Sequence, residues 1–579
     1  SNGDLGFPFY VVANDAQPVF PPEFAIINQD KPTLIACNGN TLASKTQYNF
    51  ELDTTEYFNS PLLKSYKTTQ TGGVVSWSTN QSLLPGKVYY WRVSPELSGS
   101  GNKAWINSSF IYLPSQSEGW NQSHFFQFTK DNLEDMVIAE PGRKFNFANE
   151  VIEFRASNGY IELPSYIRPR IYSGTGSVMD FQYWNHYNFN FSGIVVSMFD
   201  TDVNQMRVNV TGTDGGSFDD AHLLAGMPFY LFKTDTKAER EKLINFLKSI
   251  RVNDVVVIHT LRQKDLLFYP EEWESDGPEN IYSLLNSYGA TVVNELKTKG
   301  SVPYILTYRV QRPDYQVKEV IGDLTSEIEL VNYFELPRRE GNTQSTIIGP
   351  AASWENFEWN SNELEVPNDN ESISIYGVNQ NGSEVKLFDA FTQQNQDLRS
   401  INAKEYPNLK LKWSASDSLK RTASQLDFWR VHYTGLPDIA FHPALLFTKN
   451  KDTLNQGFPL KVEILAQNIS TKDMDSLLVK FTVIDSRNKP VSSYTRMMPV
   501  KAMASLIVSQ TVKTNSLRGA CKLFIELNPN DDQPESVKFN NVAIVDFYVR
   551  RDVRRPLLDV TFDGKRISDY DLVSNRSKI

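Results

Sequence analysis

The sequence predicts a mainly β, multi-domain protein that contains one α/β block. Its 579 residues are several times the roughly 150 residues expected of one domain. Aromatic residues make up 12% of the chain, with 35 Phe and 26 Tyr, and these residue types favour strands. Short runs that alternate apolar and polar residues recur at intervals of about ten residues, and turn residues separate them. This pattern is typical of β-sandwiches.

Alternating runs dominate the first third of the chain. Residues 1–22 are assigned to the tail of a preceding domain. Residues 23–130 carry runs such as YNFELD, GVVSWS and KVYYWRVSP, the last with Trp91 at its centre, and these predict one β-sandwich domain. Residues 131–190 keep the period of two, for example in KFNFANEVIEF, and are predicted to form the first part of a larger, jelly-roll-like β-sandwich.

The character of the sequence changes near residue 191. FSGIVVSMFD predicts a buried strand, and TDTKAEREKLINFLKSI predicts an amphipathic helix capped by Asp235 or Thr236. VNDVVVIHTLRQ predicts the next strand, and GPENIYSLLNSYGA predicts a second helix with Pro278 in its first turn. Residues 191–312 are therefore the predicted α/β block.

After about residue 313 the sequence returns to β patterns. Residues 313–436, with runs such as PNLKLKWSAS, are predicted to complete the larger β-sandwich, so that the α/β block would be inserted into it. Residues 437–550 predict an immunoglobulin-like sandwich, and residues 551–579 predict the start of a further domain. Both ends are expected to be cuts in a longer chain.

Composition restricts the kinds of partner. The formal net charge is -10, and we find no Lys/Arg cluster beyond RRDVRR at 550–555, so we expect no nucleic acid partner. No apolar run reaches the roughly 18 residues of a membrane helix, so no transmembrane segment is expected. The first residues, SNGDLGFPFY, lack the parts of a signal peptide, which predicts a soluble piece that is mature or internal.

Cysteine and histidine usage argues against metal and redox chemistry. The chain has two cysteines, Cys37 and Cys521, which lie far apart in sequence, and we predict two buried free thiols rather than a disulfide. Among the six histidines, no pair has the HExxH or HxH spacing that a metal ion would need. We predict no cofactor.

His259 is the sharpest candidate for chemistry. It ends the apolar part of VVVIHTLRQ, and many α/β enzymes hold a catalytic base at the carboxyl end of such a buried strand. Catalysis would also need a nucleophile or second base, and a cradle for an oxyanion or phosphate. The α/β block has no Cys, no G-x-S-x-G turn and no G-K-[ST] after its Gly pair. We therefore favour a structural or ligand-orienting role and predict no catalytic residue.

Two acidic loops are weaker candidates. NPNDDQPESVKFNN offers Asp531, Asp532 and Glu535 as oxygen ligands for calcium, but the loop lacks EF-hand spacing and a tight turn is favoured. FYPEEWESDGPEN at 268–280 could touch a ligand, and a solvated loop leading to a helix is the favoured interpretation.

SWENFEWN places three aromatic side chains within six residues. Trp354, Phe357 and Trp359 could stack sugar rings on the face of a sandwich. Aromatic residues at such spacing can also fall on both faces of a strand and fill a core, which is the interpretation that we favour.

The α/β block resembles a known family in the order of its segments. GIVVSMFDTDVNQ, then GGSFDDAHLLAGMPFYLFKTDTKAEREKLINFLKSIRVNDVVVIHTLRQKDL, then IYSLLNSYGA and VPYILTYRV are similar to the interleukin-like EMT-inducer domain of the PANDER-type cytokines. A related domain in the stem of an O-mannose glycosyltransferase binds sugar and does no chemistry. The resemblance therefore implies recognition at His259 rather than catalysis.

The whole chain resembles a larger arrangement. VYYWRVSP is similar to the late strands of a fibronectin type III domain, and the immunoglobulin-like region is similar to CARDB domains. With SEGWNQSHFFQF, YPNLKLKWSASDSLKRTASQLDFWRVHY and RRPLLDVTFDGKRISDYDLVS, the order resembles the C-terminal half of gingipain-related, PorU-like sortases of bacteria with type IX secretion. Such a peptidase needs a Cys/His dyad in a caspase-like fold, which neither cysteine here fits. The peptidase domain would precede residue 1.

The resemblance implies a non-catalytic region that positions the absent peptidase domain at the bacterial cell surface or in the periplasm, associated with the outer membrane. Its partner would be a glycan or a protein of the outer membrane or secretion system. The ligand-facing residues predicted on the α/β block are Asp200, Asp214, His259, Arg262 and Trp273. The alternative hypothesis is a free-standing surface protein that binds polysaccharide. A third hypothesis, an enzyme with His259 as its base, is the least favoured.

Overall fold

The protein is mainly β and multi-domain, as predicted. The computed structural model describes residues 15–96, 104–159, 169–173, 176–180, 191–210, 226–262, 265–362, 369–553, 559–576 and 578. Among these residues, no helix combines the length and the apolar character that crossing a membrane requires.

The N-terminal strands form a sandwich of two sheets. They are β1 (Gln17–Phe20), β2 (Ala25–Ile27), β3 (Thr33–Asn38), β4 (Thr46–Asp53), β5 (Lys64–Gln70), β6 (Gly73–Ser78), β7 (Val88–Pro95), β8 (Ile106–Tyr112) and β9 (Gly119–Gln122). One sheet has the order β1-β3-β6, and the other includes β2-β8-β7-β4-β5. Trp91 is fully buried between them and stacks on Phe50, with ring centroids 6.4 Å apart. Trp91, at the centre of the KVYYWRVSP run, is thus a core residue of this sandwich.

A short connecting region leads into the part of the chain that is inserted into the larger sandwich, residues 149–337, called the inserted unit below. It contains helix α1 (Phe125–Phe128) and strands β10 (Asn132–Glu134), β11 (Met136–Ala139) and β12 (Lys144–Phe147). β11 and β12 pair as an antiparallel hairpin.

The inserted unit contains two sheets and the helices of the α/β block. Its strands are β13 (Asn149–Asn158), β14 (Arg170–Ser173), β15 (Gly176–Asp180), β16 (Gly193–Asp200), β17 (Gln205–Met206), β18 (Tyr230–Phe232), β19 (Val255–Leu261), β20 (Tyr304–Arg309), β21 (Lys318–Ile321) and β22 (Ile328–Pro337). Its described helices are α2 (Lys237–Ser249), α3 (Ile281–Ser287) and α4 (Leu296–Lys299), with 3-10 helices at Pro270–Asp276 and Val292–Glu295.

The α/β sheet has the order β17-β16-β19-β20-β21, with β18 also on β16, and its described pairings are antiparallel. Its two faces bury different partners because side chains alternate along a strand. Val256 and Ile258 of β19 face the helices, whereas Val255 and Val257 face a second sheet of order β15-β14-β13-β22.

The inserted unit is larger than predicted. β13 pairs with β22 over ten positions, from Asn149 opposite Pro337 to Asn158 opposite Ile328. The predicted limits 191–312 leave out this second sheet, which covers the back of the α/β sheet. In the described part of 131–190 the period of two indicated strands correctly, but it could not indicate the sheet that they join.

The first helix follows the predicted pattern. α2 starts after Thr236, whose side chain accepts a hydrogen bond from the Glu239 N–H, and it buries Leu243, Ile244 and Leu247. The second helix begins later than predicted because Asn280 caps it through a reciprocal capping box with Ser283, which leaves Pro278 outside the helix.

The larger β-sandwich follows the insertion. Its strands are β23 (Glu340–Gln344), β24 (Ala351–Asn362), β25 (Asp369–Val378), β26 (Glu384–Phe391), β27 (Asn395–Asp397), β28 (Asn408–Asp417) and β29 (Gln425–Gly435). One sheet has the order β10-β23-β28-β25-β26, so that β10, before the insertion, pairs with β23, after it.

The other sheet of this sandwich is shared with the N-terminal domain. β9 pairs with β2 on one side and with β29 on the other, and the result is one nine-stranded sheet of order β27-β24-β29-β9-β2-β8-β7-β4-β5. The indole of Trp429 on β29 donates a hydrogen bond to Gln122 Oε1 on β9 at 2.7 Å, in a fully buried position. The strands therefore continue across the predicted boundary at residue 130.

The immunoglobulin-like region is a second two-sheet sandwich. Its strands are β30 (Ile439–Phe441), β31 (Phe447–Lys449), β32 (Thr453–Asn455), β33 (Leu460–Asn468), β34 (Met474–Ile484), β35 (Val491–Val500), β36 (Ser505–Val512), β37 (Gly519–Leu527) and β38 (Val542–Arg550). One sheet joins β30, β31 and β36 to β33, and the other has the order β32-β38-β37-β34-β35. Beyond it, β39 (Thr561–Phe562) and β40 (Lys565–Arg566) pair as a small hairpin.

Both cysteines are buried and free, as predicted. Cys37 lies on β3 and Cys521 on β37, in different domains. Burial raises the pKa of both thiols. Neither thiol has the depressed pKa and exposure of a reactive nucleophile.

Candidate functional site

The predicted ligand residues of the α/β block lie at opposite ends of its sheet. Asp200 closes β16, whereas Arg262 follows β19. Because these strands are antiparallel, with Gly193 opposite Leu261, the length of a seven-residue strand separates Asp200 from Arg262. At about 3.3 Å per residue this is on the order of 20 Å. One small ligand cannot contact both residues.

Asp200 belongs to an ion-pair cluster. Arg251 donates to Asp200 at 2.7 Å, to Asp202 at 2.6 Å and to Asp254 at 2.8 Å. Arg207 contacts Asp254 from the other side at 2.8 Å, and the Asp254 side chain is fully buried. This cluster ties the loops at one end of the sheet together, so the arrangement indicates a structural role for Asp200.

His259 is fully buried between the two sheets of the inserted unit. Its side chain lies on the same face of β19 as Val257 and Leu261, which pack against the second sheet. Burial lowers its pKa from the ordinary 6.5 to about 3. The ring is therefore neutral at physiological pH and out of reach of a substrate.

Trp273 belongs to the core, whereas Arg262 is half-buried. Trp273 is fully buried, and its ring packs against Tyr282 with centroids 5.3 Å apart, so no face is free to stack on a sugar. Arg262 donates a hydrogen bond to the Ser301 carbonyl at 3.1 Å. Asp214 lies outside the described residues. The structure thus brings none of the described predicted residues together around a cavity.

The acidic loop of the immunoglobulin-like domain is a turn. Asn528 and Asp531 adopt left-handed backbone conformations, with φ of 48° and 54°. Its three carboxylates have separate partners. Asp531 pairs with Lys538 at 2.5 Å, and Asp532 pairs with Arg496 at 2.7 Å. Glu535 accepts hydrogen bonds from the side-chain amides of Asn528 and Asn541 at 2.6 and 2.8 Å. Among the described residues, no group of His, Cys, Asp and Glu could hold a metal ion.

The aromatic side chains of SWENFEWN fill a core. Trp354, Phe357 and Trp359 are buried in the larger sandwich together with Trp413 and Trp429. The indole N–H groups of Trp354 and Trp359 donate to backbone carbonyls at 3.0 and 2.9 Å. The favoured interpretation, core packing, is confirmed, and these rings offer no sugar-stacking surface.

The buried neutral His259 predicts a pH-dependent stability. Below pH 6.5 the unfolded chain binds a proton at this residue, and the folded protein does not until about pH 3. Stability should therefore fall as the pH falls through this window, by up to about 1.4 kcal/mol per pH unit. His259→Leu should remove this contribution, so its stability relative to the natural protein should improve as the pH falls from about 7 to about 5.

The measurement is denaturant unfolding followed by hydrogen exchange of β19 peptides at both pH values. Val257→Leu is the matched control, because it changes packing on the same face of β19 without a titrating group. A His259→Leu effect that is the same at both pH values would show that the imidazole titrates normally in the folded protein.

A cavity lies where three parts of the chain meet. It has a volume of about 310 Å³ and is lined by the N-terminal domain, by the end of β29 and the segment after it, and by loops of the immunoglobulin-like domain. Its wall is mostly apolar, with contributions from Phe20, Ile26, Pro32, Leu436, Ile469 and Val537. Ligand pockets of proteins begin at about this size, about 300 Å³.

One buried carboxyl group is set into this wall. Asp438 is 2% exposed, and its Oδ1 accepts a hydrogen bond from Asn540 Nδ2 at 3.0 Å. Its Oδ2 has no hydrogen-bond partner among the described residues. Burial raises the pKa of Asp438 well above its usual range, and the nearby Glu535 raises it further. Asp438 is therefore a buried carboxyl group in the wall, and its Oδ2 is itself covered rather than presented to the cavity.

The other charged groups of the wall are paired. Lys472 contacts Glu118 at 2.8 Å, and Glu23 contacts Lys130 at 2.8 Å. Of the acidic side chains that line the cavity in the described part of the chain, Asp438 alone has no ion-pair partner.

No pattern in the sequence pointed to this cavity. Asp438 stands in LPDIAFHP, next to the predicted limit between residues 436 and 437. The walls come from segments near residues 20, 118, 435, 470 and 537, and only the folded arrangement brings them together. A buried Asp between apolar residues was the one local signal available.

Comparisons with known proteins add little. No protein-family model and no curated protein matches this chain. The CARDB domain of the PF1109 protein from Pyrococcus furiosus is 13% identical, with a TM-score of 0.16, over 20% of this chain and 89% of that one. A domain of a putative cell surface protein from Methanosarcina acetivorans is 15% identical, with a TM-score of 0.17, over 20% and 92%. Likenesses this slight indicate no shared function.

Proposed function

We propose that this chain is a non-catalytic binding region of a bacterial cell-surface protein of the PorU-like type. It positions a peptidase domain and binds a polypeptide partner. The proposal takes its family from the order of segments in the sequence. The observation that carries the binding role is the mostly apolar cavity of about 310 Å³ where three parts of the chain meet.

The shared sheet supports a positioning role. Nine strands from the N-terminal domain and the larger sandwich pair without interruption. Buried side chains of the N-terminal and immunoglobulin-like domains also pack together, among them Val19, Cys37 and Ala440. Domains joined in this way keep fixed relative positions, which is the property that a scaffold for an attached domain requires.

A protein partner is better supported than a glycan. Sugar sites in proteins use exposed aromatic faces, and the candidate rings Trp273, Trp354 and Trp359 are buried. The aliphatic wall of the cavity suits an apolar side chain better than a ring of hydroxyl groups.

Two experiments test the proposal. The complete coding sequence is expected to encode a cysteine peptidase domain before this region, whereas a glycoside hydrolase there, or no enzyme domain, would favour the polysaccharide-binding alternative. The labelled intact chain is also expected to bind sequences on a peptide array of cell-surface proteins and to leave a glycan array unlabelled. Binding to glycans alone would overturn the proposed polypeptide partner.

A further inference from the structure

The N-terminal and immunoglobulin-like domains pack closely against each other, and this interface is called the domain contact below. β6 comes so near to β30 that a Cβ atom on Gly73 would overlap the Phe441 carbonyl oxygen. Cys37 of β3 is fully buried at the domain contact, in a cluster that includes Ala440 of the other domain. A reagent can therefore reach the Cys37 thiol only when the domain contact or a whole domain opens.

Two buried carboxyl groups lie beside the domain contact without a cation. Asp438 is 2% exposed and Glu535 is 4% exposed. Among the described residues, neither forms an ion pair with a Lys, Arg or His side chain. Lys472, the lysine of the adjoining cavity wall, is paired with Glu118 at 2.8 Å. Any charge on either carboxyl group is therefore buried without compensation by a cation.

The other titratable groups that act on this pair can add only negative charge. The Cys37 thiol faces Asp438 from β3, and Asp531 acts on Glu535 from the same loop. The two carboxyl groups also act on each other, because the charge of Glu535 raises the pKa of Asp438. Ionisation of one group thus makes ionisation of the other more costly.

Hydrogen bonds distinguish the two carboxyl groups. Glu535 accepts three, from the Ile439 N–H at 3.1 Å and from the side-chain amides of Asn528 and Asn541 at 2.6 and 2.8 Å. All of these donors belong to the immunoglobulin-like domain, and three donors can support an ionised carboxylate. Burial raises the pKa of Glu535 to about 7, so this group carries charge above that pH.

Asp438 has much weaker support for a charge. It accepts one hydrogen bond, from Asn540 Nδ2 at 3.0 Å, and its Oδ2 is covered and has no partner among the described residues. The same Asn540 amide contacts Cys37 Sγ at 3.8 Å, which links Asp438 to the N-terminal domain. The closed domain contact therefore favours Asp438 as a neutral acid, whereas water at an open contact would solvate its carboxylate.

We propose that Asp438 makes the domain contact sensitive to pH: the contact is closed while this carboxyl group holds its proton and loosens when the proton is lost. This inference goes beyond the proposed function and does not rest on it. Because Asp438 also lines the cavity between the domains, loosening would change the shape of that cavity.

The sign of the effect follows from the two states of Asp438. At an open contact the carboxyl group has its ordinary pKa of 3.8, and burial beside Glu535 raises its pKa well above this value in the closed contact. Between the two values, opening releases a proton, so each rise of one pH unit favours opening by up to about tenfold. The contact should therefore be tight in acid and should loosen as the pH rises through neutrality.

The test measures the access of dithiodipyridine to Cys37 in the intact chain at about pH 5.5 and about pH 8. Each modification rate is divided by the rate in denaturant at the same pH, which removes the ionisation of the thiol itself. Peptide mass spectrometry distinguishes Cys37 from Cys521. The normalised rate at Cys37 should rise at least about tenfold from the lower to the higher pH. Cys521, which lies in the core of the immunoglobulin-like domain, should stay protected, and so should the β7 amides in hydrogen exchange.

Three variants identify the group that is responsible. Asp438→Asn removes the titrating group, so the rates at the two pH values should differ by less than about threefold. Glu535→Gln removes the neighbouring charge and should lower the normalised Cys37 rate at about pH 8, which keeps the test decisive if Asp438→Asn folds poorly. Asp475→Asn, at an exposed position of the same domain, should keep the natural pH response.

Four results would each overturn the inference. They are equal normalised Cys37 rates at the two pH values in the natural protein, a natural pH response in Asp438→Asn, an unchanged rate at about pH 8 in Glu535→Gln, and modification of Cys521 in step with Cys37. The last result would show that the whole domain unfolds rather than that the domain contact opens. None of these outcomes affects the coding-sequence test of the proposed function.

Discussion

Replacing Arg240 with methionine is expected to lower the free energy of unfolding of the inserted unit by about 3–5 kcal/mol. Arg240 on α2 is 4% exposed and binds both carboxylate oxygens of Asp276, with Nε–Oδ2 at 2.6 Å and Nη2–Oδ1 at 2.8 Å. It also donates to the Thr234 carbonyl at 2.8 Å. Methionine fills similar volume but leaves the Asp276 carboxylate buried without its partner. Hydrogen exchange of α2 amides during denaturant unfolding measures the loss.

The matched control lies on the same helix. Lys242 is an exposed residue whose i,i+3 pair with Glu239 spans 2.7 Å, and Lys242→Met should cost less than about 0.5 kcal/mol. Adding Asp276→Asn to Arg240→Met should restore part of the loss, because it removes the stranded charge. If Arg240→Met costs no more than Lys242→Met, the buried pair does not hold α2 in place.

Replacing Trp429 with alanine is expected to cost about 3–5 kcal/mol and to weaken two domains together. Trp429 is fully buried on β29, at the seam where β29 pairs with β9. Its loss opens a cavity and leaves Gln122 Oε1 without the indole donor. Denaturant unfolding with hydrogen exchange should show earlier opening of strands on both sides of the seam, including β2 and β24.

A tryptophan away from the seam provides the comparison. Trp413 is also fully buried, but it lies on β28 in the other sheet of the larger sandwich. Trp413→Ala should cost a similar amount while β2 and β8 keep their protection longer than in Trp429→Ala. Independent unfolding of the N-terminal strands in Trp429→Ala would show that the shared sheet does not couple the two domains.

The seam explains why the domain limits drawn from the sequence were incomplete. The alternation of apolar and polar residues in KVYYWRVSP and SWENFEWN indicates that these segments are strands. It does not indicate which strand pairs with each of them. β9 is four residues long, and it joins β2 to β29 across more than three hundred positions of sequence. The pairing of β9 with β29 depends on how the side chains of Trp120 and Trp429 fit together. The alternation of apolar and polar residues contains no information about that fit.

The candidate site shows the same difference between what the sequence predicts and what strand pairing decides. The sequence correctly indicated the buried strand that carries His259. It also suggested that Asp200, Asp214, His259, Arg262 and Trp273 face one ligand. The antiparallel pairing of β16 with β19 places Asp200 and Arg262 at opposite ends of the sheet instead, and the second sheet closes over His259.

By itself, the sequence determined the mainly β class, the amphipathic helix α2, the buried strand β19, the free thiols and the core positions of SWENFEWN. These features depend on local periodicity and residue chemistry, which a single segment carries. Only the tertiary structure decided the shared sheet, the second sheet of the inserted unit and the cavity around Asp438. Each of these depends on contacts between distant segments, whose free energy comes from the fit of two surfaces rather than from either segment alone.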